Sequence, residues 1–155
     1  LEEQQYIVFR MNEEKYGAPL EQIQSIEKLM TITKAPKVLN FIKGLIDLRG
    51  TSVPVIDLRE RFGLPTEIDE DQARIVIVNV ADALVGMIVD AVLDVQPVMM
   101  SQIEAAPKLI GGVEAKYLNG VAHLDNGLLI LLNLNRILSE AEERQLAEVE
   151  KSVRG

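Results

Sequence analysis

The 155 residues carry 16 basic and 24 acidic side chains, a net charge of −8, with 48% hydrophobic residues, 4% aromatic residues and no cysteine. That acidity argues against binding to nucleic-acid backbones and anionic membranes, and the missing thiols exclude disulfides, thiolate metal sites and cysteine nucleophiles. No apolar run reaches bilayer-spanning length, the first residues lack the blocks of a signal peptide, and Leu1 in place of methionine is consistent with trimming from a longer chain.

The chain reads as mainly β. Residues 6–11 form a strand, 12–15 a hairpin turn and 16–20 the return strand. Residues 23–33 are partly extended, Ala35-Pro36 breaks them, and a helical turn is expected over 37–41. A second hairpin joins 44–49 to 53–56 through a turn at 50–52. Pro54 suggests an edge or a bulge there, because proline cannot donate to a ladder. Asp57 is suited to cap a short helix that ends near Gly63. Residues 64–72, with four acids, read as a solvated linker.

Residues 73–80 are an almost continuous apolar strand, 81–83 a turn, and 84–95 the partner strand, ended by Pro97. Ser101-Gln-Ile-Glu104 matches a capping box for one helical turn. Gly111-Gly112 marks a loop. Residues 115–124 and 128–132 flank Asp125-Asn126-Gly127, the strongest hairpin signal in the chain. From Leu134 the apolar period becomes helical.

The two halves repeat each other. Laying residues 17–26 on 86–95 sets Leu20, Ile23 and Ile26 on Val89, Val92 and Val95. Gly44-Leu-Ile-Asp-Leu48 likewise matches Gly120-Val-Ala-His-Leu124. Each is followed by a turn, an apolar strand and an Asp/Asn-Leu pair, Asp57-Leu58 or Asn133-Leu134. Two small closed β-barrels satisfy this pattern; a single sandwich is the alternative.

Raw material for catalysis is scarce. His123 is the single histidine and reads as a strand residue without a nucleophile beside it. There is no metal-ligand cluster, phosphate cradle or nucleophile elbow. Asp90 and Asp94 are expected to face solvent on a strand pair, and Glu67, Asp69, Glu70 and Asp71 to lie in a solvated loop. No enzyme activity, cofactor or metal is expected. The surplus of Val, Ile and Leu over what two small interiors hold points to apolar surface for protein partners.

Residues 41–62 carry the sharpest signal. Gly44 permits a close backbone approach or a bulge, and Leu45, Val53 and Val55 line one surface. Arg49-Gly50 sits at a strand turn, with Asp47 or Glu27 as possible internal partners for the guanidinium. The run Phe41-Ile-Lys-Gly-Leu-Ile-Asp-Leu-Arg-Gly-Thr-Ser-Val-Pro-Val-Ile-Asp-Leu-Arg59 resembles the CheW family, the coupling proteins of bacterial chemotaxis, with Asp47 where that family usually has Asn. Residues 16–20, 85–90 and 117–121 extend the resemblance over nearly the whole chain. The twin segment 120–138 lacks the Arg-Gly turn, which makes Arg49 a better candidate for function than for barrel building.

The resemblance implies an all-β fold: two five-stranded SH3-like β-barrel subdomains packed around a shared hydrophobic junction, with a C-terminal helix. The expected parts are subdomain one at about 5–64, a linker at 65–72, subdomain two at about 73–134 and the helix at about 135–152. It implies a non-catalytic adaptor, cytoplasmic and at receptor arrays beneath the inner membrane. Such an adaptor links chemoreceptor cytoplasmic tips to the regulatory domain of the CheA histidine kinase. By the same resemblance, Ile23, Ser25, Arg49 and Val95 are expected in a receptor groove between the barrels, Ser25 standing where many relatives carry Glu. Arg74, Ile75 and Ile77 are expected at the kinase contact, plain core being the alternative for Ile75 and Ile77. The alternatives are a CheW-like domain of a larger CheA- or CheV-type protein and a small-ligand sensor using the inter-barrel groove. A nucleic-acid-binding barrel is disfavoured by the charge.

Overall fold

The computed structural model describes residues 3–34, 42–65, 69–110 and 113–137. The first half holds β1 (Glu3–Met11), β2 (Glu14–Pro19), β3 (Ile23–Lys28), β4 (Ile42–Leu48), β5 (Thr51–Asp57) and α1 (Leu58–Phe62). The second half holds β6 (Arg74–Val80), β7 (Ala83–Val89), β8 (Ala91–Met99) and the short β9 (Ile103–Glu104), β10 (Leu109–Ile110) and β11 (Val113–Glu114). It continues with β12 (Leu118–Leu124), β13 (Gly127–Leu132) and α2 (Leu134–Ile137). Single 3-10 turns span Leu20–Gln22, Met100–Gln102 and Ala115–Tyr117. Among the described residues no helix is long and apolar enough to cross a membrane.

The strands form two main sheets, in the orders β3-β6-β7-β5-β4 and β8-β1-β2-β13-β12-β9. Each sheet draws on both halves of the chain. The β1–β2 hairpin completes the sheet of β8, β12 and β13, while the β6–β7 hairpin completes the sheet of β3, β4 and β5. The stretches 5–64 and 73–134 are therefore each divided between the two sheets.

The repeat read from the sequence is present residue by residue. Phe9 pairs with Val92 and Val8 with Asp94, around a bulge; the counterparts are Val78 with Ile23 and Ile77 with Ser25, around the same bulge. Gly17 lies beside Leu131 in parallel pairing, as Gly86 lies beside Val55. Gly44 pairs with Val55, and Gly120 with Leu131, each just after a register shift. Both glycines have a positive φ, 143° and 147°, and a Cβ on either would run into a backbone carbonyl, of Thr33 or of Glu104. In each sheet, then, a passing segment crosses over a bare backbone: the bridge Thr33–Leu45 in one, β9 against β12 in the other. Only glycine tolerates both the dihedral and the approach.

Three apolar clusters hold this together. One barrel interior is built from Ile46, Leu48, Val53, Val55, Ile75, Ile77 and Ile88, and the other from Tyr6, Val8, Val98, Ala122, Leu129 and Leu131. The largest cluster lies between the sheets and takes residues from both, including Phe9, Tyr16, Ile56, Val78, Met87 and Ile130. This is the shared hydrophobic junction. Strand alternation explains it: β1 sends Ile7 and Phe9 to the junction and Tyr6 and Val8 to its own barrel, so both faces of the strand are buried.

Several expectations change. Residues 84–95 are not one strand: the chain breaks at Asp90, leaving β7 in one sheet and β8 in the other. Pro97 does not end β8. It sits in an edge strand, whose open side has no ladder bond for a missing N–H to cost. Pro54 lies in an interior strand, one residue before the pairing of β5 with β7 begins at Val55. The turn at Met100–Gln102 is closed by the Gln102 side chain accepting from Met99 N–H at 2.8 Å, in place of the Ser101 cap. The expected helical turn at 37–41, the Gly111-Gly112 loop and the helix beyond Ile137 lie outside the described residues.

Candidate functional site

The β4–β5 turn carries the residue of most interest. Leu48 pairs with Thr51, leaving a two-residue turn with φ of 51° at Arg49 and 90° at Gly50. Two positive φ values match the twist of the flanking strands. Asp47 Oδ1 accepts from Gly50 N–H at 2.8 Å. An asparagine offers the same oxygen, so Asp47 preserves the turn despite its departure from the family pattern. Arg49 thereby stands at the tip of the hairpin with its side chain 70% exposed. Its Nη2 donates to Glu27 Oε2 at 3.3 Å.

Glu27 lies on β3, an edge strand in which Ile23, Ser25 and Glu27 are half-buried and Gln24, Ile26 and Lys28 are exposed. Neighbouring Ser25 and then the Arg49 guanidinium lower the Glu27 carboxyl from its usual range, while the buried Ser25 hydroxyl makes no hydrogen bond of normal geometry among the described residues. The structure thus gathers Ser25 and Arg49 around Glu27, with Ile23 further along the same strand and packed against the junction. Val95 lies elsewhere, on β8 at the edge of the other sheet, where it is 44% exposed. Its repeat counterpart, Ile26, is 40% exposed at the edge of the first.

Ile75 and Ile77 do not lie on a docking surface. Both are fully buried, on a strand flanked by β3 and β7, and fill the barrel interior beside Val53 and Val55. The reason is period 2: in 74–80 the odd positions point into the barrel and the even ones, Val76 and Val78, into the junction. Arg74, half-buried, stays accessible, its Nη1 donating to the carbonyls of Asp71 at 3.0 Å and Ala73 at 2.7 Å.

Asp90 also reverses its expectation. Among the described residues the buried charged side chains are Asp57, Arg59 and Asp90. Arg59 Nε donates to Asp90 Oδ1 at 2.6 Å, its Nη2 donates to Asp90 Oδ2, and its Nη1 donates to the Pro65 carbonyl at 2.7 Å. Asp90 Oδ2 also accepts from Asn12 N–H at 2.7 Å. Asp57 caps α1 by accepting from Arg59 N–H at 2.9 Å, and burial pushes its carboxyl above the usual range. At the other end Gly63 N–H reaches Glu60 O and Leu64 N–H reaches Arg59 O, a Schellman closure. Nothing in the spacing of Arg59 and Asp90 signals their meeting. A clue was that each falls within a stretch carrying the family resemblance. Asp94 is exposed, as are Asp69, Glu70 and Asp71.

His123 faces Glu104 at 3.0 Å with both side chains open to solvent. An open groove of about 590 Å³ runs past Leu29, Met30, Ile32, Lys43, Asp57 and Ile88. Its Lys43 is paired with Glu60, and its Asp57 is committed to the helix cap.

Comparison with known proteins places this architecture. Residues 5–142 match the model of the CheW-like domain. The chain is 32% identical to "Chemotaxis protein CheW" of Klebsiella aerogenes over 149 residues, 96% of this chain and 90% of the relative. It is 38% identical to the protein of that name from Bacillus subtilis over 134 residues, 86% of each. In three dimensions it is similar to the crystal structure of the scaffolding protein TtCheW from Thermoanaerobacter tengcongensis, with a TM-score of 0.82, 33% identity and 90% of each chain covered. The chain belongs to the CheW-like domain family of chemotaxis scaffolds.

Proposed function

We propose that this protein is an adaptor that joins chemoreceptor cytoplasmic tips to the regulatory domain of a CheA-type histidine kinase, on the cytoplasmic side of the inner membrane and without catalysis of its own. The observation that carries the reading is Arg49: a cation held at an exposed hairpin tip, beside the half-buried edge strand that bears Ile23 and Ser25. The buried charged groups support a non-catalytic role, because Asp57, Arg59 and Asp90 are spent on internal bonds. Exposed Val95 on the other edge strand supplies apolar area of the kind that docks partners. The kinase contact falls on accessible side chains near Arg74, with Ile75 and Ile77 acting from behind as packing.

Binding of a receptor-tip fragment and of a CheA regulatory domain, measured separately by titration calorimetry, tests this. Arg49→Glu is expected to weaken the receptor and leave the kinase domain unaffected. Receptor affinity equal to wild type in that variant would overturn the role of Arg49.

A further inference from the structure

We infer that Asn126 is a site of spontaneous covalent modification, converting through a succinimide to aspartate and isoaspartate, and that the fold spares the second Asn-Gly pair at Asn119. The inference does not depend on the adaptor reading.

The chemistry needs only the chain and water. The glycine nitrogen of an Asn-Gly pair attacks the asparagine Cγ, and the missing Cβ leaves that nitrogen easy to approach. A bond forms between nitrogen and Cγ, the Cγ–Nδ2 bond breaks, and the amide leaves as ammonia. Water then opens one of the two imide carbonyls. One opening leaves aspartate. The other leaves isoaspartate, in which the main chain runs through the side-chain carbon. No oxidant or reductant takes part.

The chain holds two such pairs, Asn119-Gly120 at the start of β12 and Asn126-Gly127 just past its end. At Asn126 nothing opposes ring closure. Asp125 and Asn126 form the turn between Leu124 and Gly127, which pair with each other. Asp125, Asn126 and Gly127 are all exposed. The Asn126 side chain has no hydrogen-bond partner among the described residues. Beyond its chain neighbours, no atom lies within 4 Å of the place a Cβ on Gly127 would take. The leaving amide is free, the attacking nitrogen is open, and a hairpin end opens locally at little cost.

At Asn119 each of these is reversed. Its Nδ2 donates to the Leu132 carbonyl at 3.4 Å, and its Oδ1 accepts from Asn133 Nδ2 at 2.9 Å. Gly120 is buried, and a Cβ there would come within 2.6 Å of the Glu104 carbonyl oxygen. β12 is paired on both sides, with β13 and with β9. Ring closure at Asn119 therefore requires the strand to open first. The same dipeptide has two fates, and the fold decides between them.

The products differ in consequence. Aspartate at 126 adds a charge to an exposed turn. Isoaspartate adds a methylene to the main chain of a two-residue turn, which upsets the spacing that pairs Leu124 with Gly127. Leu124 and Leu129, on either side of the turn, pack in the second barrel, so this end of the barrel loosens.

The test incubates the full chain at mildly alkaline pH, folded and in denaturant, and follows both Asn-Gly peptides by chromatography and mass spectrometry. In denaturant both are expected to gain the mass of an acid at comparable rates, with isoaspartate in excess. In the folded chain Asn126 is expected to convert, and Asn119 to convert at least about tenfold more slowly, because its reaction waits for a strand to open. Asn126→Gln, whose ring closure is slower because the ring is larger, is expected to keep its amide. The purified isoaspartyl fraction is expected to melt about 2–4 °C below the fresh chain. If Asn126 stays intact in the folded chain over the time in which the denatured chain converts, the site is wrong. If Asn119 converts as fast as Asn126 in the folded chain, selection by the fold is wrong. An isoaspartyl fraction that melts with the fresh chain overturns the loosening of the barrel.

Discussion

Arg59 and Asp90, 31 residues apart in the chain, meet as a buried bidentate pair at the point where the two halves cross. Arg59 leads out of the first half through α1. Asp90 occupies the corner where the chain leaves one sheet for the other. Asn12, at the tip of the β1–β2 hairpin, closes on the same carboxylate, with Arg10 3.9 Å away. One ion pair therefore joins three segments that the exchange of hairpins must bring together. Asp90→Ala leaves the Arg59 charge buried without its partner. It is expected to cost about 3–5 kcal/mol in denaturant unfolding, and a double replacement by apolar residues, Arg59→Met with Asp90→Leu, to cost less than the single change.

Gly44 and Gly120 carry matched strain at matched places. Alanine at either meets a positive φ and a carbonyl oxygen within van der Waals contact. Each substitution is expected to lower stability by at least about 1–3 kcal/mol, from the backbone alone. Alanine at Gly63, where φ is 74° and the space is open, is expected to cost only the dihedral term. Thermal melts of the three variants check the ranking.

Tyr16 lies in the junction, stacked between Phe9 and Phe62, with its hydroxyl buried and lacking a hydrogen-bond partner among the described residues. Burial, with a smaller effect from Glu14, pushes its phenol from 10.0 up to about 12. Between those values the folded chain keeps a proton that the unfolded chain releases. Stability therefore falls as pH rises through that window, by up to about 1.4 kcal/mol per unit. Tyr16→Phe is expected to be neutral or stabilising by about 1 kcal/mol at pH 7, and to flatten the alkaline slope. A steeper alkaline loss in the variant contradicts this placement of Tyr16.

The sheet orders make the two halves mutual complements. A chain split between Pro65 and Asp69 leaves β1–β2 without β8 and β13, and β6–β7 without β3 and β5. Each fragment alone is expected to lack a cooperative thermal transition, and mixing them to restore one. Two fragments that melt cooperatively on their own contradict the exchange.

Much of this was legible in the residues. Alternation and turn chemistry marked the hairpins, and the pairing of Gly17 with Gly86 and of Gly44 with Gly120 revealed the repeat. The exchange of hairpins was not legible, because a repeat states which segments are alike and not which of them pair. That same gap put Asp90 on the surface: strands 84–89 and 91–95 look continuous until they are seen in different sheets. For Ile75 and Ile77 the residues do not choose between a contact and plain core, because strand 74–80 is apolar at nearly every position. Such a run gives no sign of which face is outward, and here neither is. Arg49 is legible from its motif, whereas the sequence alone does not choose between Asp47 and Glu27 as its partner; the turn claims Asp47 for Gly50 N–H and leaves Glu27 to the guanidinium.

The most direct measurement is a three-component assembly. An immobilised receptor-tip fragment is incubated with a CheA regulatory domain in the presence and absence of this protein, and the retained kinase domain is quantified. The adaptor reading predicts that retention rises with added protein and is lost with Arg49→Asn. Equal retention with and without the protein, under conditions where it is folded, contradicts it.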